Sequence, residues 1–205
     1  VGGTGVLTVT ALIAMAAHIE KKGCATLNQS GLAQKFGAVV SHVRIAQQQE
    51  DIKAVRVPAG EADLLLGCDL VVSTGYDTMG KTAIGRTHAI INDAALPTAA
   101  FIHNPDAELP TATMRAHIEE QTGATNVVFV NATEIAEQLL GDSLYVNLFL
   151  LGVAFQQGKI PVSAAALEAA IELNGKSTAA NQKALLMGRR YAVWPDRVLA
   201  MLPSS

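Results

Sequence analysis

Cysteine is scarce: Cys24 and Cys68 are the only two in 205 residues. An iron–sulfur cluster takes about four thiolates in characteristic spacing, so this chain by itself is expected to hold none. Each cysteine stands alone in or beside an apolar strand pattern, which predicts small core residues of a reducing, cytoplasmic compartment rather than a disulfide. The five histidines (His18, His42, His88, His103 and His117) never fall at ligand spacing with a Cys, Asp or Glu, and no metal site is expected. Fifteen basic residues against 18 acidic ones give a net charge of −3, which argues against a nucleic-acid surface or a polybasic membrane patch. The longest apolar stretches, VLTVTALIAMAA and LYVNLFLLGVAF, run for about a dozen residues, short of the roughly 20 that span a bilayer. There is no G-x-S-x-G elbow, and Ser41 and His42, adjacent in a strand, point to opposite faces. Residue 1 is not a methionine and the chain opens inside a glycine turn, so a preceding strand and a longer parent polypeptide are expected.

The apolar pattern itself alternates between short strands and helices. A helix from Gly5 to Lys22 is apolar almost all round, as expected when it meets a sheet on one side and another element on a second. CATL reads as a strand, NQSGLAQ as a loop, and VVSHVRI as a half-exposed strand with Val39, Ser41, Val43 and Ile45 on one face and Val40, His42 and Arg44 on the other. AVRVPAG is expected to be a strand ending at Pro58, EADLLLG a short helix and CDLVVST a buried parallel strand. HAIIN and NVVFVN are short apolar strands closed by asparagine. After ATEIAEQLLG the pattern turns helical, with helices over 142–157, 163–174 and 178–191. Asp142 and Ser163 stand as N-caps, and Gly158 and Gly175 as left-handed C-terminal residues. The VWPDRVLAMLPSS end is expected to lead into, or dock on, another domain. These elements define an α/β, three-layer Rossmann-like fold: a mostly parallel sheet core over 1–140 with a helical C-terminal part over 141–205.

With a glycine before Val1, the opening VGGTG would complete a G-x-G-x-x-G turn, whose N–H groups at a helix start can receive phosphate. A dinucleotide site also needs a carboxylate about 20 positions further on. Leu27, Asn28, Gln29 and Ser30 stand there instead, so an NAD site is not expected. The GDS at 141–143 superficially matches the start of a thiamine diphosphate motif, but a helix follows it, and the N-cap reading of Asp142 is preferred.

VGGTGVLTVTALIAMAAHIEKKG, SGLAQKFGAVVSHVRI and VPAGEADLLLGCDLVVS together resemble the gamma-type domain of the 2-oxoacid:ferredoxin oxidoreductases. The similarity continues through GDSLYVNLFLLGVAFQQGKIPVS and AIELNG, and is nearest the indolepyruvate ferredoxin oxidoreductases of the fused proteobacterial type. The resemblance implies a division of labour. Thiamine diphosphate with magnesium, and the iron–sulfur clusters, belong to other domains or subunits of the same enzyme. The gamma-type domain completes the active-site wall and receives coenzyme A as cosubstrate, and ferredoxin takes the electrons. The full enzyme would convert indolepyruvate or another aryl pyruvate to an acyl-CoA, as a homo-oligomer, and this chain alone would be inactive.

By position in the family pattern, Gly2, Gly3, Thr4 and Gly5 would face the interdomain cleft. Ser30, Gly31, Gln34, Lys35, Gly37 and Ser41 would line the shared site, with Lys35 as a point charge for a phosphate or carboxylate. Phe36-Gly37 departs from the family's usual Gly-Gly pair, and the ring would either rearrange the loop or fill the pocket. From a different class, a non-catalytic Rossmann-type module for a nucleotide or coenzyme A fits the same glycine turn.

Overall fold

The computed structural model describes residues 3–30, 39–94 and 111–204. Helix α1 (Gly3–Ile19) carries its strong helix formers in its second half, Ala11, Leu12 and Ala14–Ala17, and ends where Lys21 takes a left-handed conformation, φ 58°. The chain then turns into β1 (Gly23–Ser30), which pairs antiparallel with β2 (Val39–Ala46) from Gly23↔Ala46 to Ser30↔Val39. A separate three-stranded parallel sheet follows, made of β3 (Leu64–Gly67), β4 (His88–Asn92) and β5 (Val127–Val130), in that spatial order.

Alternation along these strands sorts their side chains into two layers. Ala89 and Ile91 of β4, with Leu65, Val127 and Phe129, face Leu70 of α2 (Leu70–Ser73), Met79 of α3 (Tyr76–Met79) and Ile118 of α4 (Thr111–Thr122). Ile90, with Leu64, Leu66, Val128 and Val130, faces the larger core on the other side. At the centre of that core lies α6 (Val146–Gln156), buried from Val146 through Ala154. Because α6 touches β3 and β4 on one side and α8 (Thr178–Val193) and α1 on others, an all-apolar helix is what the position requires. Helix α7 (Ala164–Asn174) packs on α1, and α5 (Ala132–Ile135) runs on into a π-helical turn, Ala136–Leu140. The α/β class, the parallel sheet between helical layers and the helical C-terminal part all agree with the sequence reading.

Two neighbouring expectations are reversed. LLLG is strand β3, not a helix, and LVVS is helix α2, not a strand. Asp69 decides the second: its Oδ1 accepts from Val72 N at 3.0 Å, and its carbonyl accepts from the Ser73 hydroxyl at 2.6 Å, so the chain coils immediately after β3. AVRVPAG forms no strand, because the Val57 N–H goes to a side chain rather than to a neighbouring strand. β1 also continues through Asn28, Gln29 and Ser30, in place of the loop expected over NQSGLAQ. In the C-terminal part, Asp142 and Ser163 cap as expected, accepting from Leu144 N and Ala166 N, and Gly158 and Gly175 have φ of 75° and 68°. The last helix, α9 (Pro195–Leu199), buries Val198 against the chain's own core.

Candidate functional site

Gly3 and Thr4 open α1, and Gly5 lies in its first turn. That turn leaves N–H groups the helix itself cannot use. Gly5 has a second role, since a Cβ there would collide with the side-chain amide of Asn147, a buried residue of α6. Two motifs 140 residues apart in the chain, VGGTG and GDSLYVN, therefore meet side by side. Within GDS, Asp142 Oδ1 is committed to the N–H of Leu144 at 2.8 Å.

β1 runs back along α1, and a 17-residue helix and an 8-residue strand are both about 25 Å long. Cys24, Val43 and Ile45 pack against the main core, and further along the same face Ser41 donates its hydroxyl to Asn28 Oδ1 at 2.6 Å, directly across the ladder. Ser30 is exposed and pairs with Val39. Of the sequence-predicted residues, Gly3, Thr4 and Gly5 fall on α1, Ser30 on β1 and Ser41 on β2. Gly2, Gly31, Gln34, Lys35 and Gly37, with Phe36, lie outside the described residues.

Ser41 and His42 point to opposite faces, as alternation demands. His42 is 6% exposed, and its Nδ1 accepts from Val57 N at 3.0 Å. Burial first, then the charges of Lys81 and Arg56, hold its pKa below the ordinary histidine value.

The carboxyl edge of the parallel sheet, where α/β folds place ligands, is braced by a residue the sequence reading treated only as a strand end. Asn92 donates to the Cys68 carbonyl at 3.2 Å and to Thr133 Oγ1 at 3.0 Å, and its Oδ1 accepts from Ala132 N at 3.0 Å and Ala94 N at 3.3 Å. One side chain thereby ties the ends of β3, β4 and β5 together. Its signal in the sequence is a buried-strand motif closed by asparagine, HAIIN. Beside it Asp93 pairs with Arg115 at 3.2 Å, and the Arg115 guanidinium lies 4.5 Å from the centre of the Phe129 ring.

The donor set does not suit the metal groups that the resemblance places in the full enzyme. Burial, with the Asp69 charge behind it, pushes the Cys68 thiol up to about 12, and burial raises Cys24 as well, the opposite of what a thiolate ligand needs. Among the described residues no group of three His, Cys, Asp or Glu could hold a metal ion. Within GDS, Asp142 serves as the N-cap of the turn at Ser143–Tyr145 and belongs to no such group among the described residues. No helix among the described residues is long and apolar enough to cross a membrane.

A parallel sheet between helical layers, with a glycine-rich helix start and a helical C-terminal part, defines the chain as a Rossmann-like α/β domain. Residues 1–191 match the family model of the pyruvate ferredoxin/flavodoxin oxidoreductases, and the chain belongs to that family. It is similar to the indolepyruvate oxidoreductase subunit IorB of Archaeoglobus fulgidus, 30% identical over 199 residues, covering 94% of this chain and 92% of the relative. The same subunit of Methanothermobacter thermautotrophicus is 27% identical over 168 residues, covering 82% of this chain and 80% of its own. In fold, the chain is similar to the gamma subunit of a keto/oxoacid ferredoxin oxidoreductase from Geobacter sulfurreducens, with a TM-score of 0.61, 17% identity and 94% of each chain covered. It is also similar to a 2-oxoglutarate:ferredoxin oxidoreductase from Magnetococcus marinus, solved with 2-oxoglutarate, coenzyme A and succinyl-CoA bound. That match has a TM-score of 0.64 and 16% identity, over 94% of this chain and 29% of the other.

Proposed function

We propose that the chain is the gamma-type component of a 2-oxoacid:ferredoxin oxidoreductase acting on indolepyruvate or another aryl pyruvate, and that it walls the active-site cleft and receives coenzyme A. The observation that carries the reading is the 30% identity to an indolepyruvate oxidoreductase subunit over 94% of the chain. Thiamine diphosphate, bound by partner domains or subunits, supplies the electron sink for decarboxylation. The residues here contribute contacts. The first-turn N–H groups of α1, from Gly3 to Gly5, suit an anionic group, and by the family pattern Gly2, Ser30, Gly31, Gln34, Lys35, Gly37 and Ser41 belong to the same site. Gly5 keeps α1 tight on α6, so the turn has a fixed floor. Iron–sulfur clusters and magnesium sit in other parts of a cytoplasmic, homo-oligomeric enzyme that passes electrons to ferredoxin, and this chain alone is inactive. Residues 1–205 act as a single gamma-type domain, with 1–140 as its α/β sheet core and 141–205 as its helical C-terminal part.

The test is anaerobic, coenzyme A-dependent reduction of a low-potential dye by the intact native protein, with indolepyruvate, phenylpyruvate and pyruvate compared. Faster reduction with the aryl substrates is expected. Absence of reduction with every 2-oxoacid, in protein that carries its clusters and thiamine diphosphate, would overturn the catalytic reading. Coenzyme A binding without turnover would then favour the non-catalytic module.

A further inference from the structure

Asn147 is the one polar side chain on the buried stretch of α6, which runs from Val146 through Ala154. It is 7% exposed. Its amide lies flush against Gly5, so closely that a Cβ there would collide with Nδ2. Gly5 is the third residue of α1, whose first turn carries N–H groups that the helix does not use. No acidic residue stands in that turn to offset the positive end of the helix. A side-chain amide and a helix start are therefore held beside each other because one residue has no side chain.

That amide is short of partners. It makes no hydrogen bond among the described residues, whereas the other buried asparagines, Asn92 and Asn181, both do. Since every fully buried side-chain nitrogen and oxygen there has a bond, the Asn147 amide keeps its tip open to solvent. The flanking residues agree: Leu7, two positions beyond Gly5, and Leu144, three before Asn147, are exposed. Asp142, the carboxylate nearest in sequence, is engaged by Leu144 N at 2.8 Å. An unpaired amide in an apolar helix is costly, and a leucine or methionine would fill the same space without that cost. The amide nitrogen offers two donors, and the first turn of α1 sets backbone donors beside them. A group with several anionic oxygens completes such an arrangement, resting some on the N–H groups and one on the amide.

We propose that the Asn147 amide is a ligand-binding group, donating to a phosphate oxygen of an organic diphosphate whose anionic end rests on the first turn of α1. Such a site rests on the anion-binding reading of that turn, and Asn147 adds the group that fixes where along the turn the phosphate sits. Gly5 gains a reason as well, because any larger residue would displace the amide from beside the N–H groups.

The test titrates the intact native protein with coenzyme A and, separately, with ADP by calorimetry, at ionic strength fixed by potassium chloride. Asn147→Asp keeps the size and shape of the side chain but replaces the donor by an anionic oxygen. At about pH 8 it should bind at least roughly tenfold more weakly than wild type. That deficit should shrink toward about pH 5 as the carboxyl regains its proton, a dependence that lost packing alone would not give. Asn147→Ala, checked for folding by circular dichroism, should lose roughly tenfold at every pH. Tighter binding of coenzyme A marks it as the source of the diphosphate, and tighter binding of ADP marks a nucleotide. Wild-type affinity in both variants, or no binding of either ligand by wild type, would overturn the proposal. Anaerobic dye reduction by the same samples separates the site from the oxidoreductase reading. Turnover with unchanged affinity in the variants sinks the site and leaves that reading, and Asn147-dependent binding without turnover on any 2-oxoacid does the reverse.

Discussion

Gly152 of α6 and Gly188 of α8 form a reciprocal contact in which each helix backbone rests on the other. A Cβ on Gly188 would collide with the Phe149 carbonyl, and one on Gly152 with the Leu185 carbonyl. Glycine to alanine in a helix ordinarily gains about 1 kcal/mol. Here the obstacle is main chain, which cannot rotate aside, so Gly188→Ala should destabilise by about 2 kcal/mol or more, as overpacking of a close crossing does. Chemical denaturation reads the sign directly, and a stabilised variant would refute the contact.

Gly5 differs because the atom in its way is the end of a side chain. Gly5→Ala should push the Asn147 amide from its place, and Asn147→Ala should relieve the clash. A double-mutant cycle on thermal stability is expected to give a coupling of roughly 1 kcal/mol. Additive effects would show that the two motifs do not touch.

Replacing Asn92 by alanine strips partners from the Cys68 carbonyl, the Ala132 and Ala94 N–H groups and the Thr133 hydroxyl at once. Buried polar groups left unpaired make this a costly change, about 2 to 4 kcal/mol. Hydrogen exchange should locate the loss at the carboxyl ends of β3 and β5 rather than in the β1–β2 pair.

The carboxylate of Glu20 accepts from Ser163 N at 2.6 Å and pairs with Lys22 at 3.0 Å. Bonds from the Ser163 hydroxyl and N–H, then from Lys22, lower its pKa from 4.5 to about 2. A carboxyl depressed on folding stabilises fully above its ordinary value and loses that contribution as pH falls through the folded one. The gap in Tm between wild type and Glu20→Gln should therefore be widest at neutral pH and close progressively between about 4.5 and about 2. A gap that does not change with pH would mean that the contact does not depend on the ionised carboxylate.

Long or capped elements were legible in the sequence, and short apolar runs were not. α1, α6, α7 and α8 could be read from length, periodicity and the caps at Asp142, Ser163, Gly158 and Gly175, each a local signal. LLLGCDLVVS resisted, because four-residue apolar runs satisfy strand and helix patterns equally. The β-branched Val71 and Val72 favoured a strand, yet Asp69 was the same N-cap signal recognised at Asp142. Asn28, Gln29 and Ser30 have poor strand propensity and are strand only because β2 pairs with them, a non-local cause. At the candidate site, the glycine turn and Ser41 were visible as motif positions. The meeting of Gly5 with Asn147 and the brace at Asn92 depend on segments brought together from far apart in the chain.

Lys22 donates to the Pro161 carbonyl at 2.6 Å and Glu20 holds Ser163, contacts that join positions 139 and 143 residues apart in the chain. The face of α1 that seats on α7 thus stays uncovered until α7 exists, with only the β1–β2 pair and later α6 packed on α1 before then. At 5–20 residues per second of synthesis, that delay is roughly 10 to 30 s, during which one of the most apolar segments of the protein is only partly covered. Biogenesis of this domain should consequently lean on chaperone capture of α1 in the nascent chain, and slowing translation between β5 and α7 should lower the yield of folded protein more than slowing it anywhere downstream.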